Sequence, residues 1–249
     1  MLATLLIAVA GLLGGALNAV AGGGTFLTFP ALVYLGVPPI MANATATLTA
    51  LPGYLGSAYA YRNDVEAEGS LGLPGILTVA SIGAVTGAML LMVTSDAAFV
   101  GIVPWLLLVA TLLFALGPRL VAELRARGGG RAGRLSSAAA IFAVSVYGGY
   151  FNGGLGIMLL AVFSLLGYVN LHGMNGLKNL LSAILSMISA SAFATAGLIA
   201  WDEALVMALA TTVGGYVGAR LARRVVRTDL LRIGIVGVGA LMTAIFFVT

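Results

Sequence analysis

Six stretches, at about 39–61, 70–93, 98–117, 172–198, 201–222 and 229–248, run close to 20 residues or more with almost nothing but apolar and small side chains. About 20 such residues in a helix cross the hydrocarbon core of a bilayer, and only structures that satisfy their own backbone can do so. The expectation is therefore an all-α integral membrane protein. Charge agrees: 8% of the 249 residues are Asp, Glu, Lys or Arg, where a soluble domain carries roughly 25%. The start of the chain does not read as a cleavable signal peptide, since it lacks a basic stretch and its apolar run simply continues.

Two further regions, 2–36 and 135–168, are apolar but interrupted. The first is split by Gly22, Gly23 and Gly24, with Asn18 before them and Thr25 after; the second by "GGYFNGGLG", Gly148 to Gly156. Glycine runs weaken a helix, and non-helical backbone at membrane depth persists only where protein or a water-filled cavity satisfies it. Each break should be followed by a new short helix, at Thr25 and near Leu155. A helix start carries free N–H groups and the positive end of the dipole, which favour an anion. Two starts facing each other near the midplane would cradle a small anion. A kink or a tight crossing of helices is the plainer alternative.

The halves of the chain resemble each other. Gly22-Gly23 recurs as Gly153-Gly154, Leu35-Gly36 as Leu166-Gly167, and Gly83-x-x-x-Gly87-Ala88 as Gly214-x-x-x-Gly218-Ala219, all at one shift of 131 residues. A common shift predicts an internal repeat: residues 1–116 and 135–249, each a broken helix pair followed by three transmembrane helices, around the linker 117–134. The Gly-x-x-x-Gly pairs predict close helix packing. The linker holds five arginines and one glutamate, and "ARLARRVVRTDLLR" (Ala219 to Arg232) is also basic, so both should be cytoplasmic. "TSDAAF" (Thr94 to Phe99) and "AWDEA" (Ala200 to Ala204) should face outward. These assignments agree only if each broken pair enters and returns on one side, which makes the repeats inverted in topology and puts both termini outside.

Polar residues inside the spans are few. Asn43 and Thr47 share a helix face, as do Asn175 and Asn179, with Lys178 and Ser182 on an adjacent stripe. Lys178 is the one charge clearly within an apolar span; it could line an anion path or snorkel to the surface. Thr45 and Thr47 could simply bond back to their own helix. Arg62 reads as a topology anchor. All eight carboxylates (Asp64, Glu66, Glu68, Asp96, Glu123, Asp202, Glu203 and Asp229) fall in loops or at span ends, so a buried acid for proton relay is not expected. With no cysteine and one histidine, His172, neither a metal site nor a cofactor is expected. No nucleophile–base pair or phosphate loop suggests an enzyme, and the arginines fit topology better than nucleic acid.

"GGALNAVAGGGTFLTFPALVYLGVPPIMANATATL", followed by Tyr61-Arg62 at the end of the next span, resembles the first repeat of the TauE/SafE sulfite-exporter family of membrane permeases. "NGGLGIMLLAVFSLLGY" and "NGLKNLLSAILS" are similar to its second repeat, so the resemblance covers nearly the whole chain. It implies transport of small sulfur-containing or carboxylate anions, including sulfite and organosulfonates, across a bacterial cytoplasmic (inner) membrane. The motif positions it carries over are Gly22, Gly23, Gly24, Thr25, Asn152, Gly153, Gly154, Lys178 and Asn179; Asn18, Asn43 and Thr47 join them from the reading above. The second break is Gly-Gly-Leu-Gly and not a run of three glycines, so the half-sites are unequal. The expected partners are a small anionic substrate and the bilayer, with the oligomeric state open and a homodimer one option. A passive anion channel is the alternative function.

Overall fold

The computed structural model describes residues 1–20, 23–126, 133–222 and 229–248. They form ten α-helices: α1 (Leu2–Val20), α2 (Thr25–Tyr34), α3 (Pro39–Ala60), α4 (Leu73–Val93), α5 (Asp96–Ala126), α6 (Arg134–Tyr150), α7 (Leu155–Leu165), α8 (Leu171–Thr195), α9 (Trp201–Ala222) and α10 (Asp229–Val248). Both interrupted regions are broken where the glycines stand, and the new helices start at Thr25 and Leu155 as predicted. The structure departs from the sequence reading at α5, which continues through Gly117 and Pro118 to Ala126; the remaining linker residues 127–132 lie outside the described residues, as does Gly22.

Local chemistry sets the boundaries. Pro39 and Pro74 open α3 and α4, where a missing N–H costs nothing. The recurring Leu-Gly pairs end α2 and α7 in one way. Gly36 and Gly167 adopt φ of 88° and 86°, and the next N–H, of Val37 or Tyr168, returns to the carbonyl of Leu32 or Phe163. That is the left-handed C-terminal cap that glycine makes easily.

The exterior is apolar and the interior partly polar. Ile82, Val85 and Met89 on α4 and Leu205, Leu209 and Val213 on α9 are exposed, while Asn43, Thr45, Thr49, Asn152, Ser182, Ser186 and Ser189 are buried. Water does not select such a surface; a bilayer does. Three described helical segments, Leu2–Ala19, Leu73–Val93 and His172–Thr195, are long and apolar enough by themselves to cross one.

Helix directions follow from which residues meet. On α1 and α9, Gly11 lies against Met207 and Ala210, Gly15 against Thr211, and Gly218 against Ala16, so the two run parallel. Gly83 meets Ser145 and Gly87 meets Val146 and Tyr150, so α4 and α6 are parallel too. Both Gly-x-x-x-Gly pairs thus sit at close crossings, as their spacing predicts. The C-terminal end of α3 and the start of α8 adjoin, with Asp64 against Gly173 and Gly176. At the same end Ser70 bonds Ser137, and Glu68 accepts from the Val169 and Asn170 N–H groups. The N-termini of α4, α6 and α8 therefore share one end of the bundle. The N-termini of α3 and α9 share the other, joined by the Ala200 N–H donating to Thr45.

Each broken pair doubles back. A side chain on Gly24 would meet Gly14 and Asn18, and one on Gly14 would meet Thr28, so α2 runs antiparallel to α1. Tyr147 bonding the Gly153 carbonyl and Gly148 packing on Leu155 give α6 and α7 the same hairpin. Packing is also reciprocal between the halves: α1 on α9 mirrors α6 on α4, α2 on α10 mirrors α7 on α5, and α3 packs on α8.

Candidate functional site

The second break is held from three sides. Asn43 on α3 donates to the Tyr150 carbonyl at 2.8 Å, and Tyr147 donates to the Gly153 carbonyl at 2.6 Å. Asn152 accepts from the Tyr54 hydroxyl at 3.2 Å and donates to Ser186 of α8 at 2.8 Å. Gly154, the residue before α7, has φ of 73° and lies against Ala110. Two carbonyls at the break are thereby satisfied by side chains of α3 and α6, while α8 holds the Asn152 side chain. Asn43 Oδ1, Ser182 Oγ and Ser189 Oγ are buried with no hydrogen-bond partner among the described residues.

The first break, of which residues 23 and 24 are described, is tied within its own hairpin. The Gly24 N–H donates to Asn18 Oδ1 at 2.7 Å, and Thr28 bonds the Gly24 carbonyl at 3.4 Å. Asn18 therefore caps α2 across the break and uses one of the N–H groups that an anion cradle would offer. Gly23, Gly24 and Thr25 are buried. Phe29 of α2 meets Phe151 edge-on, ring centroids 5.8 Å apart, so the two broken regions touch through an aromatic pair.

The two short helices run in opposite directions. Because each pair doubles back, α2 begins at the deep end of its own hairpin with its N-terminus toward the Asp64 end of the bundle, and α7 begins with its N-terminus toward the Ala200 end. Sequence spacing located both starts but carried no information on their direction, which depends on how the hairpins fold.

Lys178 is 6% exposed and donates to Asn175 Oδ1 at 3.1 Å. Among the described residues it makes no ion pair. Its depth follows from α3, which packs antiparallel on α8: Ala50 and Tyr54 cluster with Ala183, and Asp64 adjoins Gly173 and Gly176. Lys178 is thus level with the last turns of α3. Ala19, next to the first break, lines one cavity with Ser57 from those same turns. Asn179 is buried on the same helix. Thr47 spends its hydroxyl on the Asn43 carbonyl at 2.9 Å, the back-bonding a threonine makes in an apolar helix. Of the residues singled out in the sequence, the structure joins Asn18 with Gly24, and Asn43 with the second break. Tyr54, Tyr147 and Ser186 were not anticipated. The serines at 182, 186 and 189 form a stripe at helical spacing that the sequence could have shown; the tyrosines reach the break only through tertiary contacts.

The sequence profile of the family described as "Sulfite exporter TauE/SafE" matches residues 7–246. A "Probable membrane transporter protein" of Haemophilus influenzae is 31% identical over 239 residues, covering 94% of this chain and 90% of the relative. "Probable membrane transporter protein ORF9" of Sinorhizobium is 30% identical over 229 residues, covering 86% and 81%. "Probable membrane transporter protein YfcA" of Escherichia coli K12 is 31% identical over 237 residues, covering 94% and 85%. All three carry transporter names, which lends nothing to the channel alternative. With an apolar surface, a polar interior and a family match spanning nearly its full length, the chain belongs to the TauE/SafE family of membrane transporters.

Proposed function

We propose that this chain is a multi-pass permease of a bacterial cytoplasmic membrane for small anions: sulfite, organosulfonates and related sulfur-containing or carboxylate anions. The observation that carries the reading is Lys178, a cation buried in an apolar-clad bundle with one asparagine oxygen as its hydrogen-bond partner and no described carboxylate to neutralise it. An ammonium taken out of water without a counter-charge costs several kcal/mol. An anion arriving beside it offsets that cost, so the side chain is suited to recognise charge and poorly suited to hold the fold.

The two halves, 1–116 and 135–249, then work as inverted-topology repeats joined by a cytoplasmic linker at 117–134. The reciprocal packing of α1 on α9 and α6 on α4, and the opposite directions of the two short helices, support that arrangement. Inverted repeats with discontinuous helices in matching positions are the architecture of alternating access.

Substitution of Lys178 tests the reading. Two unit charges about 4 Å apart interact by roughly 4 kcal/mol at an effective dielectric near 20, and a tenfold change in affinity needs only about 1.4 kcal/mol. Lys178→Met should weaken binding of sulfite or of an alkyl sulfonate to the purified protein by at least about tenfold. Its melting temperature should stay the same or rise, and Lys178→Arg should lose less. Wild-type affinity in Lys178→Met would remove the residue from the site.

A further inference from the structure

A cavity of about 590 Å³ opens among α1, α3 and α9 toward the end of the bundle that carries Asp64 and His172. Its walls include Ala19, close before the first break at the end of α1, together with Gly53, Gly56 and Ser57 of α3 and Thr212 of α9. The hollow is written in the residue choice. A Cβ placed on Gly53 or Gly56 would meet nothing within 4 Å, whereas one on Gly15, Gly214 or Gly218, a helix face away, would run into backbone. These two glycines do not serve close packing; they leave room. Pro52 beside them lacks the N–H that would bond the Leu48 carbonyl, which loosens α3 at the same turn.

The walls mix glycine with hydroxyl groups, and Asp64 and His172 stand where the cavity ends. The N-terminus of α2 points toward this same end. We infer that the cavity is a water-filled vestibule through which a small anion reaches the first break from the Asp64–His172 end, with Gly53 and Gly56 as its width-setting residues. The inference rests on the permease reading above and names the route into that site. A lipid tail lying in a groove between α3 and α9 is the occupant it rejects.

Thiol labelling separates the two, because an ionised thiol attacks a methanethiosulfonate, displacing methanesulfinate, and a thiol ionises only in contact with water. The chain contains no cysteine, so no background must be removed. Gly56→Cys in inverted membrane vesicles should react with membrane-impermeant methanethiosulfonate ethylsulfonate at least about tenfold faster than Gly101→Cys, whose position on α5 is exposed with nothing within 4 Å. Reaction no faster than at Gly101, or only from the opposite face, would overturn the vestibule. Gly56→Trp should cut proteoliposome uptake of an alkyl sulfonate at least fivefold with an unchanged melting temperature; normal uptake would overturn it as well. Labelling requires no substrate and should be indifferent to Lys178→Met, so failure of the vestibule and failure of the anion site give different results.

Discussion

Asn152 holds three elements together, joining the second break to Tyr54 on α3 and to Ser186 on α8. Asn18, at the first break, makes one side-chain bond among the described residues, within its own hairpin, to the Gly24 N–H. Truncating Asn152 would leave a buried hydroxyl on each of two helices without its partner, at about 1–3 kcal/mol for each stranded group. Losing the Asn18 cap removes one helix-start bond, about 1 kcal/mol. Asn152→Ala should therefore lower the melting temperature in detergent clearly more than Asn18→Ala does. Equal losses would mean that Asn152 does not bridge the two halves. Lys178 belongs to the other category: its burial is a cost to the fold, and in the permease account its value lies in what it attracts.

At the scale of helices, glycine does two jobs that look alike in the sequence. Gly87 and Gly214 let backbones touch: a Cβ on Gly87 would strike the Val146 carbonyl, and one on Gly214 the Leu12 carbonyl. Gly53 and Gly56 border empty space. Gly214→Ala should thus destabilise the protein by about 1–3 kcal/mol through overpacking, while Gly53→Ala should be neutral or slightly stabilising, since alanine is the better helix former. A melting temperature unchanged by Gly214→Ala would contradict the close α1–α9 crossing. The 131-residue repeat made the Gly-x-x-x-Gly pairs legible, and glycine runs made both helix starts legible, at Thr25 and near Leu155. The end of α5 was not, because Gly117-Pro118 reads as a stop while the helix carries on to Ala126. Nor was the direction of α2 and α7, which Asn18, Thr28, Tyr147 and Leu155 fix through contacts across each hairpin.

For the molecule as a whole, polarity is turned outside-in: serines, threonines and asparagines line the interior while leucine, isoleucine, valine and methionine face out. The two short helices have opposite directions and lie against each other through Phe29 and Phe151. In the permease account each helix start serves one side of the membrane, and the anion meets them in turn; rocking of one half against the other about the α3–α8 contact would expose first one and then the other. A fixed pore would need no such alternation. Counterflow distinguishes the two directly. Proteoliposomes preloaded with millimolar unlabelled alkyl sulfonate or sulfite, then diluted into labelled anion, should take up label faster than empty ones. The initial rate should saturate with external anion, and Lys178→Met should reduce both effects. Uptake that rises linearly with concentration and ignores the internal anion would contradict the account.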